Sequence, residues 1–290
     1  MDMKKLGAWA FTDQYTAPQA ADFARRLEDW GYGALWYPEA VGRDSLVQGG
    51  WLLSNTKQLV VASGIANIFA RDAQSSMAGA NALNELSGGR FLLGLGVSHA
   101  PLVESMRGHK YEKPLANMRD YLEAMHKAAY QAPPPPERSR VVLAALAPGM
   151  LKLSGELADG AHPYNVNPEH TREARALLGA GKLLCVEHKV VLETDADKAR
   201  AAGRACLDMY VKLPNYVNNW KRLGFGDEEI TGMSDRFIDE FVAWGDESAV
   251  VERVQQHWEA GADHVCIQVL QLDGKSIDEK GLERLAARLV

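Results

Sequence analysis

The chain alternates short β-branched runs with longer segments of helical period, which predicts an α/β fold, a (β/α)8 TIM barrel. Three observations carry that expectation. The alternation counts to eight, no linker-like break divides the 290 residues, and segments such as Phe91-Leu92-Leu93 are continuously apolar, as strands buried on both faces must be. Such barrels typically take about 250 residues before insertions, so residues 1–290 read as a single domain with room for one. A doubly wound open sheet is the structural rival.

The predicted strands are residues 4–11, 34–37, 59–65, 90–95, 141–147, 161–164, 183–192 and 264–270. The first helix follows Thr16, which can cap it. Pro18 suits its first turn, and Ala21, Ala24, Leu27 and Trp30 share one face before Gly31 stops it. The third helix runs from about Ala73 to Leu86 and ends at Gly88-Gly89. Two stretches exceed the barrel minimum: a long loop over residues 98–111, and an insertion between the seventh and eighth strands over residues 214–245, carrying Asn215, Asn218 and Asn219. The run Pro133 to Pro136 predicts a stiff surface turn.

Composition narrows the function. Lys plus Arg number 32 against 38 for Asp plus Glu, and no basic block is present to meet a phosphate backbone, so nucleic acid is not an expected partner. No run approaches the roughly 18 apolar residues of a spanning helix. With no leader recognisable, no membrane association is expected and the expected location is cytoplasmic. Cys185, Cys206 and Cys266 are widely spaced without CxxC, and Cys185 and Cys266 read as small buried hydrophobes on strands.

In a barrel the chemistry belongs to the loops after the strand C-termini. Those positions hold Phe11-Thr12-Asp13, Glu39, Asn67 and Arg71, Ser98-His99, Gly149-Met150, and Tyr164-Asn165. The eight histidines include no HxH or HExxH, so no metal site is expected. A Schiff-base lysine is not expected either, since Lys182 and Lys189 read as solvent-facing. GxSxG is absent, and Gly94-Leu95-Gly96 fails the dinucleotide fingerprint because the third glycine position is His99. A glycine-rich strand end remains, where a flat ring can approach the backbone or where Gly94 and Gly96 serve tight barrel packing. Ser98 and His99 offer hydrogen-bonding or proton-transfer groups beside it. Glu39 is either a carboxylate for proton transfer or an acceptor for neighbouring backbone, and Arg71 either touches a ligand or pairs with a carboxylate. Trp9 and Tyr164 read as pocket wall.

Three blocks make the chain resemble a known family: residues 64–72 (GIANIFARD), 86–99 (LSGGRFLLGLGVSH) and 154–160 (SGELADG). It resembles the bacterial luciferase-like flavin and deazaflavin oxidoreductases, in their coenzyme F420-dependent branch. The resemblance implies a barrel binding F420, or alternatively FMN, at its C-terminal mouth, usually as a homodimer. It implies a cis peptide at Gly64-Ile65 and cofactor contacts from Gly64, Ile65, Ala66, Asn67, Arg71, Gly96, Val97 and Ser98. Gly149, Met150 and Leu151 would offer N–H groups to the cofactor phosphate. His99 falls where relatives place a proton-transfer residue, with Ser98 and Glu39 as catalytic partners, and Trp9, Tyr164 and Tyr216 would wall the substrate pocket. The chain departs from sugar-phosphate dehydrogenases of the branch at Ala40, where they carry histidine. The expected activity is hydride transfer between F420 and a small organic substrate; the alternatives are an FMN-dependent monooxygenase using O2 and a non-catalytic cofactor-binding barrel.

Overall fold

A computed structural model describes residues 3–290; residues 1 and 2 lie outside the described residues. The strands are β1 (Leu6–Trp9), β2 (Ala34–Tyr37), β3 (Val60–Ser63), β4 (Ala66–Asn67), β5 (Phe91–Gly96), β6 (Val141–Leu143), β7 (Gly160–Ala161), β8 (Leu183–Val191), β9 (Val242–Trp244) and β10 (His264–Val269). The helices are α1 (Ala17–Asp29), α2 (Ser45–Ser54), α3 (Ala73–Ser87), α4 (Pro114–His126), α5 (Pro148–Leu157) and α6 (Pro168–Leu178). They continue with α7 (Ala196–Leu207), α8 (Pro214–Arg222), α9 (Asp227–Thr231), α10 (Asp235–Phe241), α11 (Glu247–Glu259) and α12 (Glu279–Leu289).

All pairings between named strands are parallel. The order β1-β2-β3-β5-β6-β7-β8 is closed by β10, which pairs with both β8 and β1, so eight strands form a complete barrel and the open-sheet rival is excluded. Two short strands escape the sequence reading. β4 is a two-residue continuation of the third strand beyond a kink, and β9 returns from the insertion to pair with the end of β8, Lys189 opposite Val242.

The local signals act as expected at α1 and α3. Gln19 accepts from the Thr16 backbone N–H at 2.9 Å, and Ala21, Ala24 and Leu27 are buried. Gly88 and Gly89 take φ of 69° and 91° to end α3, a region that penalises side chains. The barrel interior packs Trp9, Trp36, Ala62, Leu92, Val142, Cys185 and Cys266, and a larger apolar layer lies between strands and helices. The insertion differs from its sequence reading. It begins at α7 rather than at residue 214, because the apolar face of α7 mimics the barrel's own helix, and it is helical with a separate core around Trp220, Phe225, Phe237 and Phe241. Residues 98–111 likewise contain a π-helical turn, Leu102–Met106. No helix among the described residues is long and apolar enough to cross a membrane.

Candidate active site at the barrel mouth

The kink after β3 is a cis peptide between Gly64 and Ile65. It is built from both neighbouring strands. Ser63 Oγ donates to the Gly94 carbonyl and accepts from the Gly94 N–H, both at 2.9 Å, and the Glu39 N–H donates to the Ile65 carbonyl at 3.2 Å. Glycine is obligatory at Gly94, where a Cβ would stand 2.0 Å from the Ser63 carbonyl oxygen. At Gly96 the space a side chain would need is filled by Ile65. Both glycines therefore serve packing, and Gly96 presents no open face to a ring on that side.

Glu39 accepts from the backbone N–H groups of Ser45 at 3.1 Å and Asn67 at 2.8 Å, and from both terminal nitrogens of Arg71. Arg71 also bonds Asp44, the N-cap of α2. This charged clamp ties the ends of the second and third strands. Of the two roles read for each from the sequence, the structure shows the acceptor role for Glu39, which reaches the cavity wall and accepts from four donors, and the carboxylate-pairing role for Arg71.

One cavity opens at the C-terminal mouth. Gly64, Ile65, Ser98 and His99 line it with Trp9, Glu39, Tyr164 and Tyr216, so the structure brings together half of the residues singled out from the sequence. Ser98 is held at φ 58°, and its carbonyl accepts from the Tyr111 hydroxyl at 3.2 Å. The His99 ring lies 5.7 Å from the Tyr216 ring, and Asn215 of α8 is close enough to influence its titration. Burial lowers its pKa below the ordinary 6.5, with Asn215 opposing, so the imidazole is neutral at pH 7 and able to accept a proton. Ala66 and Asn67, expected as cofactor contacts, are buried in β4, and Val97 packs against the outer apolar layer. At α5, Met150 and Leu151 donate their N–H groups to the Ala147 carbonyl and Leu151 is buried, leaving Gly149 as the one of the three not engaged there.

Sequence reasoning missed the group beneath the mouth. Lys189, read as solvent-facing, is 1% exposed inside the barrel. Its Nζ lies 3.2 Å from Glu187 Oε1, donates to Gln268 Oε1 at 3.1 Å, and stands 3.9 Å from the centroid of the Tyr164 ring. Tyr164 donates to the same Gln268 oxygen at 2.9 Å and lies 3.0 Å from the Tyr210 hydroxyl, so the tyrosine hydroxyls turn inward and the cavity meets their ring faces. Burial pushes the Glu187 carboxyl up, with Lys189 opposing. The signal was available. Glu187 and Lys189 are two apart on a largely apolar strand, hence on one face, and Lys189 is in register with Gln268. Lys189→Met is expected to destabilise the fold by about 3–5 kcal/mol by stranding Glu187, and adding Glu187→Gln should recover most of that in urea unfolding. A double variant no more stable than Lys189→Met would show that the pair is uncoupled.

The residues fit a flat ring ligand on an observation of the mouth itself: the side-chain-free turn at Gly64 faces two buried polar atoms, Trp9 Nε1 and His162 Nε2, that have no hydrogen-bond partner. No group of three or more His, Cys, Asp or Glu among the described residues could hold a metal ion.

A closed (β/α)8 barrel with its chemistry-bearing residues at the C-terminal mouth defines a barrel enzyme. Residues 3–264 match the family model described as luciferase-like monooxygenase, and the chain belongs to that family. A Mycobacterium tuberculosis protein whose name assigns it, provisionally, to the coenzyme F420-dependent oxidoreductases is 24% identical over 83% of this chain and 87% of its own. A 5,10-methylenetetrahydromethanopterin reductase of Archaeoglobus fulgidus is 22% identical over 89% of this chain and 94% of its own. Among solved structures, an F420-dependent secondary alcohol dehydrogenase superposes over 100% of this chain and 98% of its own with a TM-score of 0.80 at 15% identity, which supports the fold.

Proposed function

We propose that this enzyme transfers a hydride between coenzyme F420 and a small organic substrate at the barrel mouth. The observation that carries the reading is the match to the mycobacterial relative named for F420 over 83% of the chain. The mouth supplies a compatible cradle. When bound, the deazaflavin would supply a carbon hydride donor or acceptor in place of flavin N5, an obligate two-electron carrier poorly suited to oxygen chemistry. Gly64, Ile65 and Ser98 would hold its ring, and the Gly149 N–H at the start of α5 would meet its phosphate. His99 accepts or returns the substrate proton, while the aromatic wall of Trp9, Tyr164 and Tyr216 excludes water.

The family's monooxygenase description keeps FMN as a second reading. Separate fluorescence titrations of the cofactor-free protein with F420 and with FMN decide between them. Tighter F420 binding is expected. Tighter FMN binding would transfer the site to oxygen chemistry, and binding of neither would overturn the cofactor assignment. Tight binding with no turnover across alcohols, carbonyls and enones would mark a non-catalytic barrel.

A further inference from the structure

Between β8, α6 and α11, the buried side chains of His188, His257 and Thr171 form one hydrogen-bonded chain. It ends on the loop that carries part of the aromatic wall of the mouth. His188 Nδ1 lies 3.1 Å from the Val166 carbonyl and 3.1 Å from His257 Nε2. His257 Nδ1 lies 2.8 Å from the Thr171 hydroxyl, and that hydroxyl donates to the Asn167 carbonyl at 3.3 Å. A carbonyl can only accept, and one stands at each end, so every proton is placed. Thr171 gives its hydrogen to Asn167 and therefore accepts from His257 Nδ1, which leaves His257 Nε2 as a lone pair. That lone pair takes the His188 Nδ1 hydrogen, which Val166 shares. His188 Nε2 then carries no hydrogen, and it is buried without a partner.

A chain closed in this way has no place for a further proton. Protonating His257 turns Nε2 into a donor facing the N–H of His188, and protonating His188 puts an N–H where no acceptor stands. The surrounding charges oppose it too. Arg253 of α11 and Lys189 of β8 act on His188, Arg253 and His170 of α6 act on His257, and Arg222 of α8 acts on His170. The nearby carboxylates are occupied, Glu240 of α10 by Asn167 Nδ2 at 3.0 Å and Glu187, on the other face of β8, by Lys189. His170 adds a third closed imidazole, donating from Nε2 to the Leu146 carbonyl at 2.9 Å with its Nδ1 buried and unpartnered.

We propose that the His188–His257–Thr171 chain is a proton-operated latch, which when neutral pins α6 and the loop over residues 162–167 to the barrel and when protonated releases them before the barrel unfolds. The loop connects the latch to the mouth. Its Tyr164 walls the cavity, its Asn165 N–H donates to Glu187 Oε2 at 2.9 Å, and its Val166 and Asn167 carbonyls close the chain. Release falls on α6 because β8 is paired to β7, β9 and β10, whereas α6 is an outer helix of 11 residues whose first turn holds both His170 and Thr171. The latch is independent of which cofactor the mouth takes.

Hydrogen exchange of the cofactor-free full chain tests this, read by mass spectrometry on peptides within residues 162–178 at pH 7.5 and 6.0. Rates are corrected for the intrinsic effect of pH, and urea unfolding at the same two pH values gives the free energy of global opening. Release exposes two or three of the histidines to water, where they titrate near the ordinary value of about 6.5. Opening of the segment is therefore expected to rise about ten- to fiftyfold from pH 7.5 to 6.0, at a free energy below that of global unfolding at both. His257→Gln, which cannot titrate, should shrink that step about fourfold. The wild-type comparison depends on no variant folding. Exchange that matches the global free energy at both pH values overturns the latch, and so does local opening that is indifferent to pH. Opening of residues 168–178 with 162–167 still protected overturns the connection to the mouth.

Discussion

Mild acid is expected to unfold this protein. Five histidines are buried and neutral. His162, His170 and His264 are held down to about 4 and His257 to about 3, chiefly by burial, and His188 well below its ordinary 6.5 for the same reason. Each folded pKa lies below its unfolded value, so the unfolded chain binds more protons as pH falls. Stability is therefore full above about 6.5 and is lost progressively from there down to each folded pKa. Each group contributes up to about 1.4 kcal/mol per pH unit in that window. Against a typical total of about 5–15 kcal/mol, five such groups place unfolding near about pH 5. Urea unfolding at a series of pH values measures the slope. His188 and His257 make the sharpest case, with His257 Nε2 3.1 Å from His188 Nδ1 and His257 Nδ1 2.8 Å from the Thr171 hydroxyl, between β8, α11 and α6. Replacing both with glutamine should remove about two of the five protons taken up on unfolding. Stability that stays flat between pH 6.5 and 5 would sink the account.

The same strand shows what sequence can and cannot disclose. The eight barrel strands were legible because continuous apolar runs report burial on both faces without knowledge of partners. β9 was not, because three residues inside a helical insertion carry too little period to stand out. Along β8, His188 faces the helix layer while Glu187 and Lys189 face the barrel interior, as their contacts with His257 and Gln268 show. Charged residues rarely bury unless paired, and pairing across strands is set by register, which one sequence does not display. The mouth residues divided similarly. His99, Ser98, Trp9, Tyr164 and Tyr216 were found by their place after strands or by family resemblance. The commitment of Glu39 to Arg71 depends on residues 32 apart in the chain, and only the fold joins them.

His99→Ala is expected to lower turnover about 10²- to 10⁴-fold, the usual span for losing a positioned proton-transfer group, while leaving F420 affinity nearly unchanged. The split follows from placement. His99 lines the cavity beside Tyr216 of the insertion, with ring centroids 5.7 Å apart, whereas the turn proposed to hold the ring is Gly64-Ile65 at the end of β3. The pH profile adds a second, independent sign. If neutral His99 is the proton acceptor, kcat/KM for substrate oxidation falls on the acid side with an apparent pKa below 6.5, since burial penalises the charged imidazolium. Asn215→Ala removes the neighbouring amide that opposes this depression and should move the acid limb lower still. The profile of His99→Ala should lose that limb altogether. Equal losses in turnover and F420 affinity would make His99 a binding residue, and an unmoved acid limb in Asn215→Ala would assign the titration to another group.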